Sequence, residues 1–327
     1  MKQLLILSLL LLGFFSCSTD ERRERANHLE EWQQAQGKIK VLSTLEMIND
    51  IVKEIGGDHI ASLTLIKGQL DPHSYQLVKG DDEKLAAADL IFFNGLGLEH
   101  GPSLQHYLQG NPKAIALGDS VLLQFSKEIL QYQSQLDPHI WMDISLWAKT
   151  IPVIVGALSK QSPENAAEFR ANGAKLTTKM HTRHLELRQL LTSIPEQERF
   201  LVTSHDAFNY FARAYLATDE ERLSGGWQKR FAAPEGLAPD SQLNPVDIQI
   251  IIDHLKKYDI HVLFPESNIS KDSIRKIVDA GEEKGLKLRV ADAYLYGDAM
   301  GQPGSDGDTY LKMMKHNAMI IRKNLSE

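Results

Sequence analysis

From Lys38 onward the apolar positions alternate between two periods. IKVLS, starting at Ile39, reads as a strand, LEMINDIVKEIG places Leu45, Ile48, Ile51, Val52 and Ile55 at helical spacing, and IASLTLI, from Ile60, reads as a second strand. A short helix over DDEKLAAAD and strands over LIFFN and KAIAL continue the alternation. Strands and helices taking turns at this spacing predict an α/β fold, a parallel sheet with helices on both faces.

Ser162-Pro163-Glu164 marks a helix start, a capping hydroxyl followed by proline at the first helical position, and no other proline occurs before Pro195. The predicted helix over 163–193 would be on the order of 45 Å long at ~1.5 Å per residue. Gly173 inside it is expected to weaken it by about 1 kcal/mol without ending it. The α/β pattern then resumes, with strands over RFLVTS, HVLFPE and LKLRVA and helices over AFNYFARAYL, VDIQIIIDHLKKY and KDSIRKIVDAGEEKG. The closing helix, TYLKMMKHNAMIIRKNL, carries Tyr310, Met314, Asn317 and Ile321 on one stripe. The stretch 217–245, rich in Gly, Pro and charge, is too long for an ordinary connection and reads as a functional or mobile loop. The chain thus divides into an amino-terminal α/β lobe over 38–162, one long rigid linker helix over 163–193 and a carboxy-terminal α/β lobe over 194–327.

The first residues follow a different logic. Lys2 precedes an apolar run from Leu4 to Phe15, too short for the roughly 20 residues of a membrane-spanning helix, so 1–16 reads as a secretory signal peptide. Cys17 follows Phe14-Phe15-Ser16, similar to a bacterial lipobox in which Phe14 replaces the more usual Leu, and is the expected lipid attachment point. Residues 17–37 are mostly polar and read as a solvated, lipid-anchored tether or a short surface helix. The expected location is extracytoplasmic, on a bacterial membrane.

Composition narrows the chemistry. Cys17 is the single cysteine, so no internal disulfide framework or multi-thiolate site is possible and a metal would need nitrogen and oxygen ligands. The formal charge of −7 becomes about −8 once Lys2 leaves with the leader, and basic and acidic residues are interspersed, which argues against a nucleic-acid partner.

Two tripeptides repeat, Asp71-Pro72-His73 and Asp137-Pro138-His139, each followed two residues later by an aromatic, Tyr75 and Trp141. Proline fixes its own φ and biases the preceding residue toward extended geometry, so the histidine after it points in a defined direction. His205 in VTSHD and Asp298 in YGD complete four candidates, three of them shortly after predicted strands, where open α/β sheets bind ligands. Glu266 is a possible acceptor for a ligand histidine. Asp306 and Asp308 compete with Asp298 for the fourth position, and Asp308 is expected to cap the last helix. His181 and His184 are expected on a solvated helix face, and His100, His254, His261 and His316 as surface or packing groups.

The segments DPHSYQ, ADLIFFNGLGLE, DPHIWMD, VTSHDAFNYFARAY, LFPESNI, YLYGDAMG and GDTYLKMMKHN, in this order, resemble the metal-binding solute-binding lipoproteins of ABC transporters, the TroA and ZnuA-like family, from Lys38 to Leu325. SHDAFNYFARAY and YGDAMG are most similar to the TroA branch; the ERLSGGWQKRF and APEGL stretches are similar to chlamydial members. The resemblance implies His73, His139, His205 and Asp298 as ligands of one divalent transition metal (Zn, Mn or Fe), held between the lobes of a monomer. It also implies delivery to an ABC importer permease and its ATPase. In some manganese-binding relatives the third ligand is glutamate, unlike His205, and zinc-specialised members often carry a His-rich loop where this chain has only His100 and His106. Three imidazoles and a carboxylate leave zinc, manganese and iron open. The alternatives are a zinc-dependent hydrolase, which lacks an HExxH helix here, and a metal-binding surface adhesin.

Overall fold

A computed structural model of the chain describes residues 29–132, 134–237 and 245–326. The leader over 1–16 and the Cys17 attachment point therefore lie outside the described residues. Strand β1 (Ile39–Ser43) lies between β2 (Ile60–Thr64) and β3 (Leu90–Phe93), and β4 (Ala114–Ala116) flanks β3, all parallel, in the order β2-β1-β3-β4. β1 shows why this sheet is covered on both faces. Val41 packs among Ile48, Ile51 and Val52 of the helix Glu46–Gly56, while Leu42, one residue on, packs with Leu85, Ile91 and Leu104. A parallel sheet buried on both sides reads as continuous apolar strands, as this one does.

A hairpin of β5 (Gln131–Tyr132) and β6 (Gln135–Leu136) leads into the second Asp-Pro-His tripeptide. Beyond the long helix, β7 (Leu201–Val202) pairs parallel with β8 (Phe231–Ala232), and β9 (Val262–Leu263) with β10 (Arg289–Val290). The Phe264 N–H donates to the Val202 carbonyl at 2.8 Å, which joins the two pairs in the order β8-β7-β9-β10. The six-residue strands expected over RFLVTS, HVLFPE and LKLRVA are ladders of two residues each, and beyond them the chains pair through scattered backbone hydrogen bonds and isolated bridges, His205 with Glu235 and Glu266 with Leu295.

The 217–245 stretch is not simply a loop in its described part. It contains the helix Asp219–Ser224, opened by a reciprocal Thr218–Glu221 capping box, and it supplies β8. Its charge hid this: Arg230 is buried, but paired with Glu221 at 2.8 Å and Glu196 at 3.0 Å. Of the segment read as a solvated tether or a short surface helix, the described part is helical at first, but not solvated throughout. Residues 29–33 are helical, and Trp32 is buried, its indole N–H donating to the Ala61 carbonyl at 3.0 Å. No described helix is long and apolar enough to cross a membrane.

The long helix is a short 3₁₀ turn, Pro163–Asn165, continued by 27 α-helical residues, Ala166–Thr192. The Ser162 hydroxyl does not cap it, being engaged with the Glu164 and Asn165 side chains. Phe169, Gly173, Leu176, Met180, Leu187 and Leu191 form its buried stripe. A Cβ at Gly173 would lie 2.7 Å from Val155 Cγ2, so glycine there permits the helix Ile151–Gln161 to pack closely. His181 is exposed as expected, but His184 is not solvated: it is buried, with Nδ1 3.1 Å from the Tyr215 hydroxyl, and burial lowers its pKa against the pull of Asp143. The last helix, Tyr310–Leu325, buries Tyr310, Met314, Asn317 and Ile321 as its stripe foretold. Asp308 does not cap it; its carboxylate accepts from Gly304 N–H and Lys312, and the Tyr310 N–H goes instead to Asp50 at 2.9 Å.

Candidate metal centre

The two Asp-Pro-His tripeptides fold alike. Asp71 Oδ1 accepts the His73 N–H at 2.9 Å and Asp137 Oδ1 accepts the His139 N–H at 3.0 Å, a local turn in which the aspartate side chain fixes the backbone that proline has already restricted. Both loops lie beyond the carboxyl ends of the first sheet. Asn94, just past β3, donates from its side chain to the Pro138 carbonyl at 3.0 Å. Asn94 is held in turn by Glu99, a buried carboxylate that accepts from the Asn94 and Gly95 N–H groups and the Thr44 hydroxyl; burial raises its pKa despite these donors.

The second sheet aims its own pair from the same side. His205 follows β7 directly, and Asp298 lies in the loop after β10. Tyr296 is pinned on both backbone groups by Asn317, which accepts from its N–H at 2.9 Å and donates to its carbonyl at 2.8 Å. The Gly297 carbonyl accepts from the Trp141 indole at 3.1 Å, tying the Asp298 loop to the segment that carries His139.

His73, His139, His205 and Asp298, all buried, bring their ligand atoms within 4.8 Å of one another. The His73 and His139 Nε2 atoms are 3.3 Å apart. Asp298 Oδ1 is 3.5 Å from His139 Nε2, and Oδ2 is 3.6 Å from His73 Nε2 and 3.0 Å from His205 Nε2. Ligand atoms each ~2.0–2.1 Å from a tetrahedral ion stand roughly 3.3–3.4 Å apart, so this cage has the size such an ion needs. The cage also leaves polar atoms unsatisfied. Neither Asp298 oxygen and neither His205 ring nitrogen makes a hydrogen bond of good geometry, although the contacts are close. Buried polar groups without partners are costly, and a bound cation removes that cost at His205 Nε2 and the Asp298 carboxylate together.

The ring nitrogens facing away from the centre meet carboxylates. His139 Nδ1 is 2.8 Å from Asp137 Oδ1, and His205 Nδ1 is 2.8 Å from Glu266 Oε2. A carboxylate at Nδ1 favours the proton there and leaves the Nε2 lone pair for a metal. The buried charges of the cage compensate one another. Burial opposes charge on both His205 and Asp298, yet Glu266 and Asp298 raise the His205 pKa well above the imidazole range, and His205, with the other imidazoles, holds Asp298 well below the carboxylate range. Burial, with Asp137 adding to it, pushes the nearby Asp206 up to about 7.

All four candidates therefore converge, and Glu266 stands where an acceptor for a ligand histidine was expected. Asp306 and Asp308 do not join them: Asp306 is exposed, and Asp308 is occupied in its own turn. Sequence reasoning missed Asp137 as the partner of His139, although its twin position in the repeated tripeptide was a signal. It also missed Asn209 and Tyr210, which bind Asp137 at 3.0 and 2.9 Å through Oδ2 and the carbonyl. His100, expected as a surface or packing group, has its ring centre 5.8 Å from that of His73.

The chain matches the family described as zinc-uptake complex component A, periplasmic, over residues 41–324. It is 40% identical over 294 residues to the metal-binding protein YtgA of Chlamydia pneumoniae, spanning 90% of this chain and 88% of that one. It is 31% identical over 311 residues to the manganese-binding lipoprotein MntA of Bacillus subtilis, spanning 94% of each. The crystal structure of Fe(III)-bound YtgA from Chlamydia trachomatis matches with a TM-score of 0.82 at 38% identity, spanning 87% of this chain and 97% of that one.

Proposed function

This chain belongs to the ZnuA family of periplasmic metal-uptake proteins, and from that premise we propose that it captures one transition-metal ion with His73, His139, His205 and Asp298 and delivers it to an ABC importer, its permease and ATPase. The observation that carries the assignment is the convergence of three Nε2 atoms and one carboxylate, buried and short of partners, at the spacing a tetrahedral ion sets. Both Asp298 oxygens face the centre, so a fifth bond is open to manganese or iron, and relatives are named for iron, manganese and zinc.

The reading is of a carrier and not an enzyme. Four protein ligands around a buried centre enclose cargo, whereas a hydrolytic zinc keeps a position for water. Residues 38–162 and 194–327 act as the two lobes of the clamp and 163–193 as the spacer between them. On this reading the protein works outside the cytoplasm on a lipid anchor at Cys17, which the lipoprotein name of MntA supports. Membrane fractionation of Cys17→Ser checks this, since retention in the membrane fraction would remove the anchor from the account.

Elemental analysis of protein purified without added metal, followed by competition among Mn²⁺, Fe²⁺ and Zn²⁺, tests the function. One ion per chain, lost on His139→Ala with the fold intact, is expected. Turnover of a hydrolysable ester by the zinc-loaded chain would favour the hydrolase instead.

A further inference from the structure

A cavity of about 610 Å³ adjoins the metal centre, lined by His73, His100, Asp119, Gln135 and Leu237 among others. Of the four converging residues only His73 lines it, and His73 is 1% exposed, so an ion in the cavity meets almost none of the ligand set directly. His100 stands on the wall, partly exposed, beside His73. Its Nδ1 lies 3.2 Å from the Gly97 carbonyl. A carbonyl only accepts, so in the neutral ring Nδ1 carries the proton and Nε2 keeps its lone pair. Asp119 is exposed on the same wall, one oxygen accepting the Leu96 N–H at 2.7 Å, and its charge favours cations there.

We propose that His100 is a docking ligand for the ion on its way to and from His73. A hydrated ion cannot shed all its water at once in front of a closed cage. Nε2 of His100 replaces one water while the rest remain, Asp119 raises the local ion concentration, and His73 takes the ion over from there. The same steps run in reverse on release, so His100 speeds both directions and leaves the equilibrium where the buried ligands set it. The inference rests on the reading that those four residues hold the ion.

Stopped-flow mixing with Mn²⁺ or Zn²⁺ alone tests it, with Trp141, whose ring centre is 5.3 Å from that of His139, as the fluorescent reporter. His100→Ala and His100→Gln are expected to slow association and dissociation by a common factor of roughly ten, with Kd unchanged within about twofold. His100→Asp, which keeps a ligand atom, should recover most of the rate. A role confined to packing against His73 gives another pattern: Kd raised about tenfold in every variant, Asp included. That pattern, or rates unchanged in Ala and Gln, overturns the inference. Normal wild-type binding with unaltered variant rates overturns it alone, whereas a wild-type chain that binds no ion overturns the functional reading and this inference with it.

Discussion

Glu266 meets His205 twice: Oε1 accepts its backbone N–H at 3.0 Å, and Oε2 lies 2.8 Å from its ring Nδ1. One carboxylate therefore sets where the residue sits and how its ring is protonated. Asp137 does the same for His139, with a single oxygen 3.0 Å from the N–H and 2.8 Å from Nδ1. Two of the three imidazoles are thus aimed by acidic groups that do not themselves face the ion.

Glu266→Gln and Asp137→Asn should each weaken metal binding by roughly 10–100-fold while the chain stays folded, because the amide can still accept the backbone N–H but no longer favours the Nδ1 proton by charge. Titration against a chelator of known affinity measures this. Changes under about twofold in both would show that these carboxylates do not tune the ligands.

Gly297 matters through contact rather than flexibility. A Cβ there would lie 2.5 Å from Glu266 Oε2 and 3.5 Å from His205 Cε1. Gly297→Ala should destabilise the fold by about 1–3 kcal/mol and weaken binding, since the carboxylate must move away from His205. Gly156 offers the contrast, being exposed within the helix Ile151–Gln161 with no described atom within 4 Å of a Cβ. Gly156→Ala should stabilise by roughly 0.5–1 kcal/mol and leave binding unchanged. Chemical denaturation of both variants, read with a binding titration, separates the two effects.

The contrast marks what a sequence makes legible. The Asp-Pro-His repeat announces itself because its geometry is local: the aspartate that turns the backbone is two residues from the histidine it positions. The Asn209–Asp137 bond spans 72 positions, and nothing within either segment announces it. The helices and the first sheet follow apolar periodicity, but the second sheet has only two-residue ladders, since its strands spend their length aiming side chains instead of pairing. β8 was invisible because Phe231-Ala232 is too short to show a period and is flanked by charge that is neutralised only by folding, Arg230 against Glu221 and Glu196. His184 misled for the same reason, its partners Tyr215 and Asp143 being distant in the chain.

His254 gives the stability a specific acid limb. It packs against Tyr258 and Phe200, and burial, with Lys257 adding, lowers its pKa to about 4. In the unfolded chain it titrates near ~6.5. Between those values the unfolded state binds a proton that the folded state refuses, so stability falls as pH drops from about 6.5 to about 4 and the contribution is complete above that window. His254→Phe should flatten this part of the profile, seen in denaturation midpoints across the window. An unchanged slope would mean that other groups govern it.

The central claim is that His73, His139, His205 and Asp298 hold one ion between them. An anomalous-difference map from crystals grown with Zn²⁺, with data collected at the zinc edge, tests it most directly. The expected result is one dominant peak enclosed by the three Nε2 atoms and the Asp298 carboxylate. A dominant peak elsewhere, at Asp306 and Asp308 or between His100 and Asp119, with that cage left without density, would contradict the claim.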